Sequence, residues 1–267
     1  MAAALGTSQA SVSRIEAGKQ RISVDDVRVW LDVVHAPNAV YAELADLAKR
    51  ADAEVAQWRE LHARGWEVHQ REYADLERNA TTILLYQPSL IPGLLQSHGY
   101  IDHLMRRVWA LAEKQIGVAV DARLRRQQLL YRPETNLDVI VTEAVLRHAM
   151  GGYAVMAEQL RHIVGLAQLP TVNLGVIPVD TDMPWPYRHS YVLCDLPEGQ
   201  SVVIVELASR EVRDTDPETI VQYRQQHAEY RTASLSGEKA IRLVERIAEE
   251  HTRRVFEGRA GNVSQPS

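Results

Sequence analysis

Apolar residues in the first fifty positions recur every three or four residues, the period of a helix with one buried face. Val12 and Ile15 share one side of a short segment from Ser8 to Ala17, with Gly18 as its stop. Ser23 caps a second segment, Asp25 and Asp26 sit in its first turn, and Val27, Trp30, Leu31 and Val34 line one face. "HAPNA" interrupts the pattern, and Tyr41 to Lys49 resumes it. Ala53 to Asn79 is polar and helical in tendency, with Trp58, Leu61, Trp66 and Tyr73 interspersed.

From Thr82 the pattern changes. "ILLYQPSLIPGLLQ" is a strand-like run cut by Pro88, Pro92 and Gly93, and "HGYIDHLMRRVW" follows as a helix. Asp121 to Leu130 reads as another helix, "LDVIVTEA" as a buried strand, and Val155 to Ala167 as an amphipathic helix. "TVNLGVIP" alternates Val172, Leu174 and Val176 on one side. "YVLCDL" and "SVVIVEL" flank "PEGQ", a hairpin signal. Asp216-Pro217 opens a helix, and a last helix carries Ile241, Val244 and Ile247. The pattern predicts a mostly α protein with a smaller β component. The expected division is a helical module over 1–50, a connector helix over 51–80, an α+β domain over 81–257 and a disordered tail over 258–267.

The first module carries the most specific signal. "GTSQASVSRIEAGKQRIS" (Gly6 to Ser23) has the form of the turn and recognition helix of a helix-turn-helix. Val12 and Ile15 face inward, with Leu5 ahead of them. Gln9, Ala10, Ser13 and Arg14 face outward as base readers, where Gln suits adenine and Arg suits guanine. Thr7, Ser8, Lys19 and Arg21 flank the helix and suit phosphate oxygens. The bland alternative is a short surface helix, since Ser, Gln and Arg are common in those.

Composition narrows the rest. The net charge of −5 excludes a protein that coats nucleic acid indiscriminately but not a small reading module. Residues 1–50 hold six basic and six acidic side chains, and Arg14, Lys19 and Arg21 cluster where DNA would lie. One cysteine, Cys194, rules out an internal disulfide framework and points to a reducing, cytoplasmic setting. Cys194 itself reads as a small apolar strand residue. No stretch reaches the roughly 18 uncharged apolar residues of a membrane span, and the start is not a signal peptide.

Other chemistry is sparse. Trp185, Tyr187, Arg188 and His189 in "VDTDMPWPYRHSY" form a candidate ligand loop, against the reading of a proline-pinned connection. Arg123, Arg125 and Arg126, with Arg106 and Arg107, could hold an anion or a partner's acidic surface, or be a solvated face. Glu143 and Glu206 at strand ends could pair, but nothing fixes their separation. His98 and His103 lack metal-ligand spacing. Phosphate-loop, dinucleotide, nucleophile-elbow and zinc-protease motifs are absent, so no metal, cofactor or catalytic residue is expected.

"ALGTSQASVSRIEAGKQRIS" resembles the helix-turn-helix of the xenobiotic-response-element family. "YQPSLIPGLLQSHGYI", "RLRRQQLL", "TEAVLRH", "QLRHIVGLAQLPTVNLGVIP" and "SLSGEKAIRLVERI" resemble the large C-terminal domain that accompanies it in actinobacterial, antitoxin-like transcriptional regulators. The resemblance implies a cytoplasmic, dimeric, sequence-specific regulator that binds a double-stranded DNA operator. It also implies a C-terminal domain that senses a small ligand or protein partner. Against that family the chain begins inside the second helix, so the expected bundle lacks its first helix. Leu5, Val12, Ile15 and Leu31 would then lose a packing partner. Three explanations remain open: an upstream start, a covering chain, or a module that no longer reads DNA. The last would leave the C-terminal domain with a ligand-binding or enzymatic role of its own.

Overall fold

The computed structural model describes residues 1–17, 24–37, 44, 66–109, 111–183, 189–206 and 211–263. The chain divides into two compact units, 1–65 and 66–267.

In the first unit, α1 (Gln9–Glu16) follows a turn at Gly6, whose φ of +60° is one that glycine adopts without strain. Ser8 caps α1 by accepting the Ser11 N–H at 3.2 Å. Helix α2 (Val24–Val33) ends where "HAPNA" begins. His35 is left-handed there, with φ +52°, and the Ala36 N–H reaches back to the Leu31 carbonyl at 3.0 Å. That is a Schellman ending, and Pro37 follows it. A β-carbon at positive φ is strained, so His35→Gly should stabilise this unit by about 0.5–1 kcal/mol, read by urea denaturation. Val12 and Leu31 are buried. Gly18 and Ser23, expected as stop and cap, lie outside the described residues, as do Tyr41 to Glu43, Ala45 to Lys49 and Ala53 to Gly65.

The second unit is built on one seven-stranded mixed sheet in the order β6-β5-β4-β1-β2-β3-β7. Strands β1 (Thr82–Gln87), β2 (Asn136–Thr142) and β3 (Val172–Ile177) are parallel neighbours. Strand β4 (Tyr191–Asp195) lies antiparallel on the other side of β1, and β5 (Ser201–Glu206) and β6 (Glu211–Asp214) extend that edge. The two-residue strand β7 (Leu235–Ser236) closes the opposite edge. Between its ends, strand β2 is apolar on both faces apart from Asp138, because both faces are covered, as central parallel strands require. Leu137, Val139 and Val141 enter the main core, and Ile140 enters the smaller one behind.

Around the sheet lie α3 (Trp66–Asn79), α4 (His98–Arg107), α5 (Glu113–Arg126), α6 (Glu143–Arg147) and α7 (Tyr153–Leu166). Two more, α8 (Pro217–Ala233) and α9 (Glu238–Val263), close the chain. The parallel strands are joined by helical crossovers, α4 and α5 between β1 and β2, α6 and α7 between β2 and β3. The fold is α+β. Leu104, Met156, Leu160, Val244 and Ile247 pack the main core, while Ile220 and Tyr230 of α8 pack the other.

Some elements differ from expectation. Helix α5 starts at Glu113, eight residues before the expected Asp121. Its N-terminal half contains Gly117, yet Ile116, Ala119, Val120 and Arg123 bury one face at helical spacing. Strands β6 and β7 and helix α6 were not expected. Helix α9 continues to Val263, into the segment expected as tail. Among the described residues, no helix is long and apolar enough to cross a membrane.

Candidate functional site

The segment from Pro88 to Ser97 joins β1 to α4, and buried polar side chains staple it to the helices around it. Gln96 donates to the Ile91 carbonyl at 2.7 Å. Gln127 donates to the carbonyls of Gly93 and Gln96, at 3.0 and 2.8 Å. Gln159, fully buried on α7, donates to the Leu95 carbonyl at 2.7 Å and accepts the Ser97 N–H at 2.6 Å. The Tyr100 hydroxyl accepts the Ile91 N–H at 3.2 Å. Two prolines and little regular structure leave these backbone groups without ladder partners, so side chains must satisfy them.

This stapled segment walls a cleft at the carboxyl end of β1. Strand β1 has a parallel neighbour, β2, on one side and an antiparallel one, β4, on the other. The water-accessible volume of the cleft is about 90 Å³.

Its polar wall comes from two helices and two strand ends. Arg126 of α5, half-buried, pairs with the buried Glu77 of α3, Nε to Oε2 at 2.7 Å. Arg123, one turn earlier and 7 % exposed, donates to Gln96 Oε1 at 2.8 Å. Each guanidinium lies against a ring: Arg126 is 5.0 Å from the Tyr73 centroid, and Arg123 is 4.8 Å from that of Trp109. Glu206, at the end of β5, lines the exposed rim. Burial, reinforced by the neighbouring Arg126 charge, pulls Arg123 down to about 9. Burial pushes Glu77 up to about 7, although both arginines pull it the other way. Tyr73 is raised by burial and then by Glu206 and Glu77.

A second polar cluster lies on the opposite face of the sheet, beneath α8. His227 Nε2 is 3.1 Å from Asp138, and its Nδ1 shares a hydrogen bond with the Tyr191 hydroxyl at 3.1 Å. Arg231 also pairs with Asp138 and donates to the Asn173 carbonyl at 3.1 Å. Burial lowers His227 to about 4, so the ring is neutral near pH 7. A neutral ring that accepts the Tyr191 O–H at Nδ1 carries its proton on Nε2, the nitrogen that faces Asp138. The cluster fastens α8 to β2 and β4.

The expected base readers Gln9, Ala10, Ser13 and Arg14 are all exposed on α1, and Val12 is buried. Arg14 donates to Ser11 Oγ at 3.1 Å. Ser8 is engaged as the cap of α1, Thr7 is half-buried, and Lys19 and Arg21 lie outside the described residues. Of the expected ligand loop, Trp185, Tyr187 and Arg188 also lie outside them. His189 is exposed, and its Nε2 meets the Tyr223 hydroxyl at 2.8 Å. The arginine run separates by helical phase: Arg123 and Arg126 enter the cleft, while Arg125 is exposed. Arg106 is held on the surface by Asp102 and Glu113. Glu143 is occupied by Arg147 at 2.6 Å and by the Val179 N–H at 3.1 Å, away from any pairing with Glu206. Cys194 is fully buried, and burial raises its thiol, as for an inert core residue.

Sequence reasoning missed Tyr73, Glu77, Gln96, Trp109 and the Asp138–His227 pair. One available signal was the Tyr73-x-x-x-Glu77 spacing, which places a carboxylate and an aromatic ring on one helix face.

No curated protein and no solved structure matches the chain. A family model described as a domain of unknown function (DUF5753) matches residues 70–246, about two thirds of the length. On that match the chain belongs to the DUF5753 family.

Proposed function

We propose that the protein is a sequence-specific DNA-binding transcriptional regulator, with α1 as its recognition helix and the second unit as the sensor of a small ligand or protein partner. The observation that carries this reading is the distribution of side chains on α1. Gln9 and Ala10 face solvent in the capped first turn, and Ser13 and Arg14 carry the exposed face on into the last turn, with Val12 turned inward. A recognition helix enters the major groove by its N-terminal end. Gln9 and Arg14 are base readers, each bidentate contact contributing about 1–3 kcal/mol of discrimination. Thr7, Ser8, Lys19 and Arg21 are phosphate contacts. A homodimer would place two such helices on half-sites about 34 Å apart.

The test is a gel shift with the DNA upstream of the protein's own gene. Gln9→Ala and Arg14→Ala should each weaken binding about five- to a hundredfold. Binding that both variants leave unchanged removes α1 as the reader.

A further inference from the structure

We infer that the furrow between α7 and α9 is where two copies of this chain meet, with α9 of each lying antiparallel against α9 of the other. The inference goes beyond the regulator reading, which calls for two copies and is silent on how they join.

The first ground is shape. Helices α7 and α9 lie over the main core, and Leu160, Ile163, Val244 and Ile247 are buried beneath them. Their outer sides leave a furrow of about 660 Å³. Val164 and Ala248 give it an apolar floor, and Phe256, the single phenylalanine of the chain, stands 63 % exposed at its edge. A lone exposed apolar side chain is ordinary. Beside an apolar furrow it is one half of a knob-and-hole contact, and covering it removes about 150–250 Å² from water.

The second ground is charge, and it selects the occupant. Glu245, Glu249 and Arg253 line the furrow from α9. Arg161 lines it from α7 and donates to Thr252 Oγ1 at 2.9 Å. Other charges on α9 pair within the chain: Arg242 with Glu238 at 2.8 Å, Glu250 with Arg147 at 2.6 Å, and Arg254 with Glu257 at 3.7 Å. Glu245, Glu249 and Arg253 form no ion pair among the described residues. Two acids one turn apart repel each other unless a cation lies between them. The furrow is therefore neutral in sum but divided, with its acids towards the start of α9 and its cations beside Thr252. Such a face complements itself when reversed, whereas an acidic or a basic partner would match only half of it.

A two-fold axis between Glu249 and Thr252 sets Arg253 of the second copy opposite Ala248, between Glu245 and Glu249. The same rotation brings the second copy's Phe256 to the level of Glu245, over the furrow. The contact is isologous, so each copy gives one phenylalanine and one arginine and receives the same.

The experiment is sedimentation velocity on the full chain over about a hundredfold range of concentration, at one fixed moderate salt. The unsubstituted chain should sediment as a reversible dimer. Phe256→Ala should weaken dimerisation about ten- to a hundredfold. Its circular dichroism should stay unchanged, because the side chain is exposed in the single chain. Glu245→Lys/Glu249→Lys in one chain and Arg253→Glu in another should each be largely monomeric through like-charge repulsion. An equimolar mixture of the two should dimerise, since both halves of the mixed contact then pair opposite charges. A chain that is monomeric throughout leaves the furrow to another occupant and overturns the inference. So does a dimer indifferent to Phe256→Ala, or a mixture that stays monomeric. A dimer with this signature that binds no DNA upholds the inference and removes the regulator reading. A monomer that binds the promoter selectively removes this inference alone.

Discussion

Replacing Gln159 with leucine is expected to cost about 2–5 kcal/mol of stability, although leucine nearly matches its volume. The loss comes from what the side chain leaves behind. The Ser97 N–H and the Leu95 carbonyl each have Gln159 as partner in a fully buried setting. A buried polar group stripped of its partner costs about 1–3 kcal/mol, and two are stripped at once. Urea denaturation should show a lower midpoint with an unchanged slope. Amide exchange at Ser97 should speed up more than exchange in β2, because the damage is local to the cleft wall. A change under about 0.5 kcal/mol would mean that the loop needs no staple there.

The second large effect is a pair of opposed pH dependences. Glu77 titrates near 7 when folded, against an ordinary value of 4.5. Its folded form binds the proton more tightly, so its contribution is complete below 4.5 and is lost as pH rises through 7. His227 titrates near 4 when folded, against 6.5. Its contribution is complete above 6.5 and is lost as pH falls through 4. Each is worth about 3 kcal/mol at full extent. In the unsubstituted protein these two terms nearly offset each other between pH 4.5 and 6.5. Glu77→Gln should make stability climb with pH across that window, and His227→Gln should make it fall. Urea midpoints measured at several pH values read both slopes. Slopes of the same sign in the two variants would refute the assignment.

Much of the fold was legible because local and tertiary preferences agree. The apolar run of β2, the alternation in β3, the hairpin through "PEGQ" and the Asp216-Pro217 start of α8 all carry short-range signals that burial reinforces. Strand β6, "EVRD", carries none, because an exposed edge strand needs no apolar face. Strand β7 has two residues and α6 has five, too few for any periodicity. The site was less legible. The arginines stood out as a charge run, but burial alone separates Arg123 and Arg126 from Arg125. Glu77 lies on a mostly polar helix, and its spacing from Tyr73 is the one local feature that bears on its burial. Gln159 and Gln127 act on a loop at least 31 residues away, a partnership no local pattern encodes.

The central claim is that α1 reads base edges. It is tested most directly by fluorescence anisotropy with the own-promoter duplex and a scrambled duplex of equal length, at one fixed salt concentration. The protein should favour the promoter by about a thousandfold or more, and the Gln9→Ala/Arg14→Ala double variant should lose most of that ratio while keeping its affinity for the scrambled duplex. An equal affinity for both duplexes in the unsubstituted protein, or a ratio untouched by the double substitution, would contradict it.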